Sequence, residues 1–197
     1  MDALDRNWRR LAGRIPAAAE ADAARIVRAF RGEIVLTPPR ASKWGSYRWR
    51  ADLGAKIFLN RDLQPEAMLI TLLHELAHAQ VRAWDGLGCA PHGAEWQKRY
   101  RELLAPFIAL PEVFSPAVAR ALQRQLHKPK ASCGAAPDLL RALRADSDQL
   151  RVEQLPEGAW FRLANGMEFR KGPKRRTRFA CTEKKTGRTF EIGRASC

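Results

Sequence analysis

The sequence predicts an α+β protein: a helical domain with a small antiparallel sheet, followed by a small C-terminal β appendage. Three observations carry this. The stretch from Pro65 to Trp84 is apolar nearly all round and stops at Asp85-Gly86, the pattern of a buried helix. Three short β-rich runs precede it: Glu33 to Thr37, Ser42 to Arg50 and Lys56 to Asn60. From about Leu150 the chain turns to short strand-like runs, punctuated by the hairpin signal Asn165-Gly166. The expected divisions are 1–126 for the helical domain with its N-terminal helices, 127–149 for a connection, and 150–197 for a small basic β domain. With 197 residues, 46% hydrophobic and 28% charged, the chain can bury a core unaided, which excludes wholesale disorder.

Each element has a local signature. The first thirty residues read as two helices, with Pro16 where the second can begin and Gly32 where it can stop. Pro38-Pro39 closes the first β run. A membrane span is a poor reading of Pro65 to Trp84, because His74, Glu75 and His78 would sit mid-bilayer. A second helix is expected from about His92 to Ala109, kinked or shortened at Pro106. Trp84 is expected in the core. Short helices from Pro116 to Leu126 and Pro137 to Leu143 flank the connection, which holds His127 and Cys133. In the last part, Gly158 to Leu163, Met167 to Arg170, Arg175 to Cys181 and Arg188 to Ile192 read as strands.

The four cysteines, Cys89, Cys133, Cys181 and Cys197, are scattered, and no C-x-x-C occurs. This excludes a disulfide scaffold and the usual four-cysteine zinc site, and a reducing compartment is the simplest setting. The N-terminal thirty residues carry no apolar core of a signal peptide, and Asp2, Asp5, Glu20 and Asp22 speak against a transit peptide. The formal net charge is +14, from 35 basic and 21 acidic side chains. Such an excess points to a polyanionic partner, nucleic acid before membrane, with compositional drift as the plain alternative.

His74-Glu75-Leu76-Ala77-His78 is an HExxH motif on the buried helix. Residues four apart share a helix face one turn apart, so both imidazoles can reach one ion. Glu75 is rotated about 100° from His74 and can reach a water on that ion without being a ligand. Zn²⁺ acidifies such a water, and a carboxylate can take its proton. By composition the motif has a chance probability of only about 0.5%, and burying two histidines and a glutamate without a partner is costly. A third ligand is needed. Val81 and Trp84 stand where a metzincin requires Gly and His, which excludes that class. His92 is the favoured third ligand, with Glu95 and Glu102 as carboxylate alternatives.

His74-Glu-Leu-Ala-His-Ala79 followed by His92-Gly93-Ala94-Glu95-Trp96 resembles the SprT-like zinc metalloprotease family, which includes the DNA–protein crosslink protease Spartan. Ala55 to Asn60 and Thr71 to Leu73 are similar to that family's lead-in strand and helix, so the resemblance covers roughly Ile34 to Leu104. It implies a zincin-like fold and one Zn²⁺ held by His74, His78 and His92, with Glu75 as general base. It implies a peptidase acting on DNA-associated proteins. The departure is C-terminal: many bacterial members end in a zinc ribbon with two Cys pairs, whereas only Cys181 and Cys197 fall there, sixteen residues apart. No second zinc is expected. Trp96 is expected to pack one turn below His92 and seat it. Tyr47 and Tyr100 are both available to stabilise an oxyanion, and nothing selects between them.

Residues 111–197 hold 18 basic and 9 acidic residues, against 17 and 12 in residues 1–110. The densest run is Arg170-Lys171-Gly-Pro-Lys174-Arg175-Arg176-Thr-Arg178, flanked by Phe169 and Phe179. A basic hairpin edged by aromatics suits phosphate contact with base stacking, so DNA, or RNA, is the expected partner beside protein substrates. A solvated face or a charge-guarded sheet edge is the alternative. The expected location is the cytoplasm of a bacterial cell, at the nucleoid. Rival functions are a zinc-stabilised nucleic-acid-binding module without protease activity, and a general peptidase indifferent to nucleic acid.

Overall fold

In the computed structural model residues 3–40, 43–86, 88–127, 137–145, 152–163, 166–176 and 178–192 are described. The chain divides into two units, Met1–Asp146 and Ser147–Cys197.

The first unit opens with α1 (Ala3–Leu11) and α2 (Glu20–Ala29), joined through Pro16 as its fixed φ favours. Three strands follow, β1 (Gly32–Thr37), β2 (Gly45–Arg50) and β3 (Gly54–Asn60). They form one sheet in the order β1-β3-β2. The expectation of a wholly antiparallel sheet is corrected here: β2 and β3 are antiparallel, but β1 and β3 are parallel. The reason is local. Pro38-Pro39 cannot form a tight hairpin, so the chain crosses to the far position before β2 turns back through Gly54, at φ 70°, into the gap. Asn60, which is buried, ties this crossing down by donating to the carbonyls of Arg40 and Lys43, both at 3.1 Å.

The two edges of the sheet differ. Along β1, buried Asn7 of α1 accepts from the Ile34 amide at 2.9 Å and donates to the Gly32 carbonyl at 2.8 Å, imitating a neighbouring strand. Arg10 donates to the Ile34 carbonyl as well. Among the described residues no strand lies on the outer side of β2.

α3 (Pro65–Gln80) is buried on nearly every side, from Ala67 through Ala77 without a break, as its apolar sequence requires. It ends in a wider π-helical turn, Val81–Asp85. α4 (Ala94–Ala109) runs through Pro106 to its end, so the expected shortening does not occur. It begins two residues later than expected: His92 is not its first residue but stands in a turn before it, at φ 59°. α5 (Pro116–His127) and α6 (Pro137–Ala145) complete the unit. Of the expected connection 127–149, residues 128–136, Cys133 included, and 146–149 lie outside the described residues, as do Asn165 and Cys197.

The second unit is a four-stranded antiparallel sheet, β4 (Trp160–Arg162), β5 (Glu168–Arg175), β6 (Arg178–Glu183) and β7 (Thr189–Ile192), in sequence order. Val152, Phe161, Phe169, Phe179, Cys181 and Ile192 form its core. The run expected to open the third strand at Arg175 is split: β5 extends to Arg175 and a turn at Arg176 leads to β6.

Candidate metal centre

α3 presents His74 and His78 from successive turns, and the turn before α4 brings His92 against them. The Nε2 atoms of His78 and His92 are 3.0 Å apart, and those of His74 and His92 3.3 Å. Two ligand nitrogens on a tetrahedral zinc, each about 2.0–2.1 Å from the ion, stand about 3.3 Å apart. The three rings therefore fit a single ion, and they are the one His/Cys/Asp/Glu group among the described residues close enough to hold a metal. Of the carboxylate alternatives, Glu95 is exposed and Glu102 pairs with Arg99, and neither joins the cluster.

The third histidine is held by backbone geometry. The Gly93 amide donates to the Ala90 carbonyl at 2.9 Å, closing a turn with Pro91 at its second position and His92 in the left-handed region. That conformation is unusual for a side chain larger than glycine and is found disproportionately at functional sites. Gln97 donates to the His92 carbonyl at 3.2 Å. Trp96, 1% exposed, lies edge-on to His92 with ring centres 4.6 Å apart, and donates from Nε1 to the His74 carbonyl at 3.4 Å. It does seat the site, from beneath all three imidazoles.

Electrostatics favour ligation. Burial, then its neighbours His78 and His92, pushes the pKa of His74 down to about 3. Burial and then His92 push His78 down to about 4, and burial lowers His92. All three are neutral at pH 7, the form that binds metal. Glu75 is 5% exposed, and burial raises its pKa to about 7, opposed by a hydrogen bond from the Tyr47 amide and by the charges of Arg40 and Lys43.

Sequence reasoning missed how Glu75 is seated. Gly45 stands so close that a Cβ there would lie 2.8 Å from Glu75 Oε1 and 2.6 Å from Thr71 Cγ2. A glycine inside the aromatic run Trp44 to Trp49 was the available signal. Tyr100 is buried, stacked on Trp96 with 5.0 Å between centres and edge-on to His74 at 5.7 Å. Tyr47 is half-buried, and burial raises its phenol pKa. Trp84 is corrected from core to surface: it is 64% exposed.

Residues 28–113 match the SprT-like family. This segment is a SprT-like domain. Neither the curated proteins nor the solved structures include a significant match. The SprT-like domain contains all three histidines, Glu75 and Gly45, and spans the whole three-stranded sheet, while α1, which braces the β1 edge, precedes it. The second unit lies outside the matched segment.

There, Arg170, Lys174, Arg175, Arg176 and Arg178 are exposed, as a basic surface requires. Lys171 is not. It is 7% exposed, its ammonium donates to the carbonyls of Glu153 and Leu155, and it lies 4.3 Å from the centre of the Phe179 ring. Phe169 and Phe179 are likewise buried in the core rather than free to stack on bases. Among the described residues the exposed aromatics of this sheet are Phe190 on β7 and Trp160, the latter opposite Arg170 in register and with Lys184 Nζ 5.7 Å from its ring centre. Cys181 is buried and unpaired. Among the described residues no helix is long and apolar enough to cross a membrane.

Proposed function

We propose that the SprT-like domain is a zinc-dependent peptidase acting on proteins associated with nucleic acid. The observation that carries this is the pairing of three convergent, neutral imidazoles with a buried carboxylate that is not among them. A purely structural zinc would favour a fourth protein ligand and would need no such carboxylate. Zn²⁺ bound by His74, His78 and His92 supplies Lewis acidity for the scissile carbonyl and acidifies water. Glu75 accepts a proton from the attacking water and returns it to the leaving amine. A group whose pKa stands near neutrality suits both transfers.

The free side of β2 supports a peptide substrate. The Tyr47 amide points at Glu75 rather than into the β3 ladder, so the outer side of β2 faces the centre. An extended peptide added there as a further strand would pass its carbonyls beside Glu75. The basic hairpin of the second unit supports a nucleic-acid partner, through phosphate contacts at Lys174, Arg175, Arg176 and Arg178 and without base-specific reading.

The test incubates zinc-loaded protein with a DNA-binding protein, with and without DNA, beside Glu75→Gln. The expected result is DNA-dependent cleavage by the parent and none by the variant, at equal zinc content. Cleavage retained by Glu75→Gln rejects its role. DNA binding without cleavage favours a regulatory module, and cleavage indifferent to DNA favours a general peptidase.

A further inference from the structure

We infer that the cavity behind α3, built wholly from the first unit, binds an unpaired nucleotide of a single-stranded nucleic acid, whether or not the metal centre hydrolyses peptides. The cavity measures about 570 Å³ and lies between α2, the end of the sheet and the back of α3. That volume is in the range of small-molecule sites. Neither the three histidines nor Glu75 lines it, while Tyr47, whose amide holds Glu75, does. Leu76 and Gln80, which line it, sit roughly opposite the histidines on the helix at 100° per residue.

Three features of its lining define the ligand. The first is charge: Arg25, Arg31 and Arg82 line it and no acidic residue does. Arg25 shares its charge with Asp22, 2.5 Å away, while the Arg82 Nε is buried without a hydrogen-bond partner. Such an unmet donor is rare in folded proteins. The second is flat apolar surface. Trp49 and Trp84 stand at the cavity and remain 45% and 64% exposed, and Phe30 lies within. The π-helical turn at the end of α3 puts Arg82 and Trp84 there together. Arg82 covers one face of Trp49, its Cζ 4.1 Å from the ring centre, and Arg99 covers one face of Trp84 at 4.7 Å. Both indoles stay partly open to solvent beside these cations. The third is Gln80, a neutral group able to donate to and accept from a heterocycle's edge.

An anion, a planar ring and a polar ring edge together describe a nucleotide. A fatty acid would use the arginines and the apolar wall but has no need of exposed indoles or an amide. A duplex cannot enter a cavity, whereas an unstacked base of a single strand can, with its neighbouring phosphates on the arginines at the mouth.

The test uses the full chain and a thymine-rich single-stranded oligonucleotide carrying one 5-iodouracil. Irradiation and peptide mapping are expected to place an adduct on a peptide containing Trp49 or Trp84. Trp84→Ala, at an exposed position, is expected to weaken binding about tenfold and to remove most of that adduct, with an unchanged circular dichroism spectrum. Arg31→Glu is expected to weaken binding comparably and lower its salt dependence. An adduct confined to peptides of the second unit, or unaltered in Trp84→Ala, overturns the site. Thymidine monophosphate binding as tightly as the oligonucleotide, or displacement by a long-chain fatty acid alone, overturns the ligand.

Discussion

Glu75 is placed by its neighbours as much as by its helix. The helix aims the carboxylate, the Tyr47 amide holds it, and the missing Cβ of Gly45 leaves it room. Gly45→Ala must therefore displace Glu75 or Thr71, whose atoms it would approach within 3 Å. Peptide hydrolysis is expected to fall about 100-fold, as for a catalytic group misplaced by an ångström, while zinc content by elemental analysis stays at one per chain. Zinc lost together with activity would show a wider collapse. A second prediction concerns pH. The Glu75 pKa is raised from 4.5 to about 7, so the folded metal-free protein holds this proton more tightly than the unfolded chain does. Stability then falls as pH rises from 4.5 to 7, and the loss persists above. His74 and His78 act oppositely: with pKa values lowered to about 3 and about 4, they make stability rise with pH up to about 6.5. Comparing Glu75→Gln with the parent at each pH cancels the histidine contributions. In chelator, the variant is expected to match the parent near pH 4 and to exceed it at pH 8 by on the order of 2–3 kcal/mol in urea unfolding.

Among the elements, β5 shows how a charged run can conceal a buried residue. Strand periodicity puts Lys171 on the same face as the core residue Phe169, and this was legible in the alternation. What hid it was the density of surrounding charge. Its ammonium replaces a strand partner for the carbonyls of Glu153 and Leu155, so the second unit spends one cation of the run on its own fold. Just beyond, the pairing of β5 with β6 shifts between Lys171 and Lys174. Gly172 is obligatory there, since a Cβ would meet the Ala180 carbonyl oxygen at 2.1 Å. Gly172→Ala is expected to lower the melting temperature of the second unit by several degrees, read from the near-ultraviolet signal of Trp160. Zinc binding by the first unit is expected to be unaffected. An unchanged melt would mean that β5 and β6 pair without the irregularity. The first sheet offers the contrasting case. Its three strands were evident from β-branched and aromatic runs, but the parallel pairing of β1 with β3 depends on a crossing that no single strand encodes.

For the whole molecule, charge and chemistry occupy separate units. The second unit, residues 147–197, carries 12 basic and 6 acidic side chains in about a quarter of the chain. The HExxH helix carries no basic side chain other than its histidines. Neutralising Lys174, Arg175, Arg176 and Arg178 together is therefore expected to weaken DNA binding. The slope of log affinity against log salt should flatten by about 0.7–0.9 for each phosphate no longer neutralised. An unchanged slope rejects the hairpin as a phosphate-binding surface. Lys171→Ala is the counterpart: it should destabilise the second unit and leave the slope alone.

The shared face of His74 and His78 in the candidate metal centre was readable in the chain because helical periodicity is local: two histidines four apart on an apolar helix define that face before any folding is considered. The place of His92 was readable only through its motif, since the left-handed turn that aims it depends on Pro91 and Gly93 together with Trp96 beneath. The seating of Glu75 against Gly45, the burial of Lys171 and the exposure of Trp84 all depend on segments distant in sequence meeting in space. Periodicity says which residues share a face. It does not say what that face will meet, and the meeting sets burial, pKa and access.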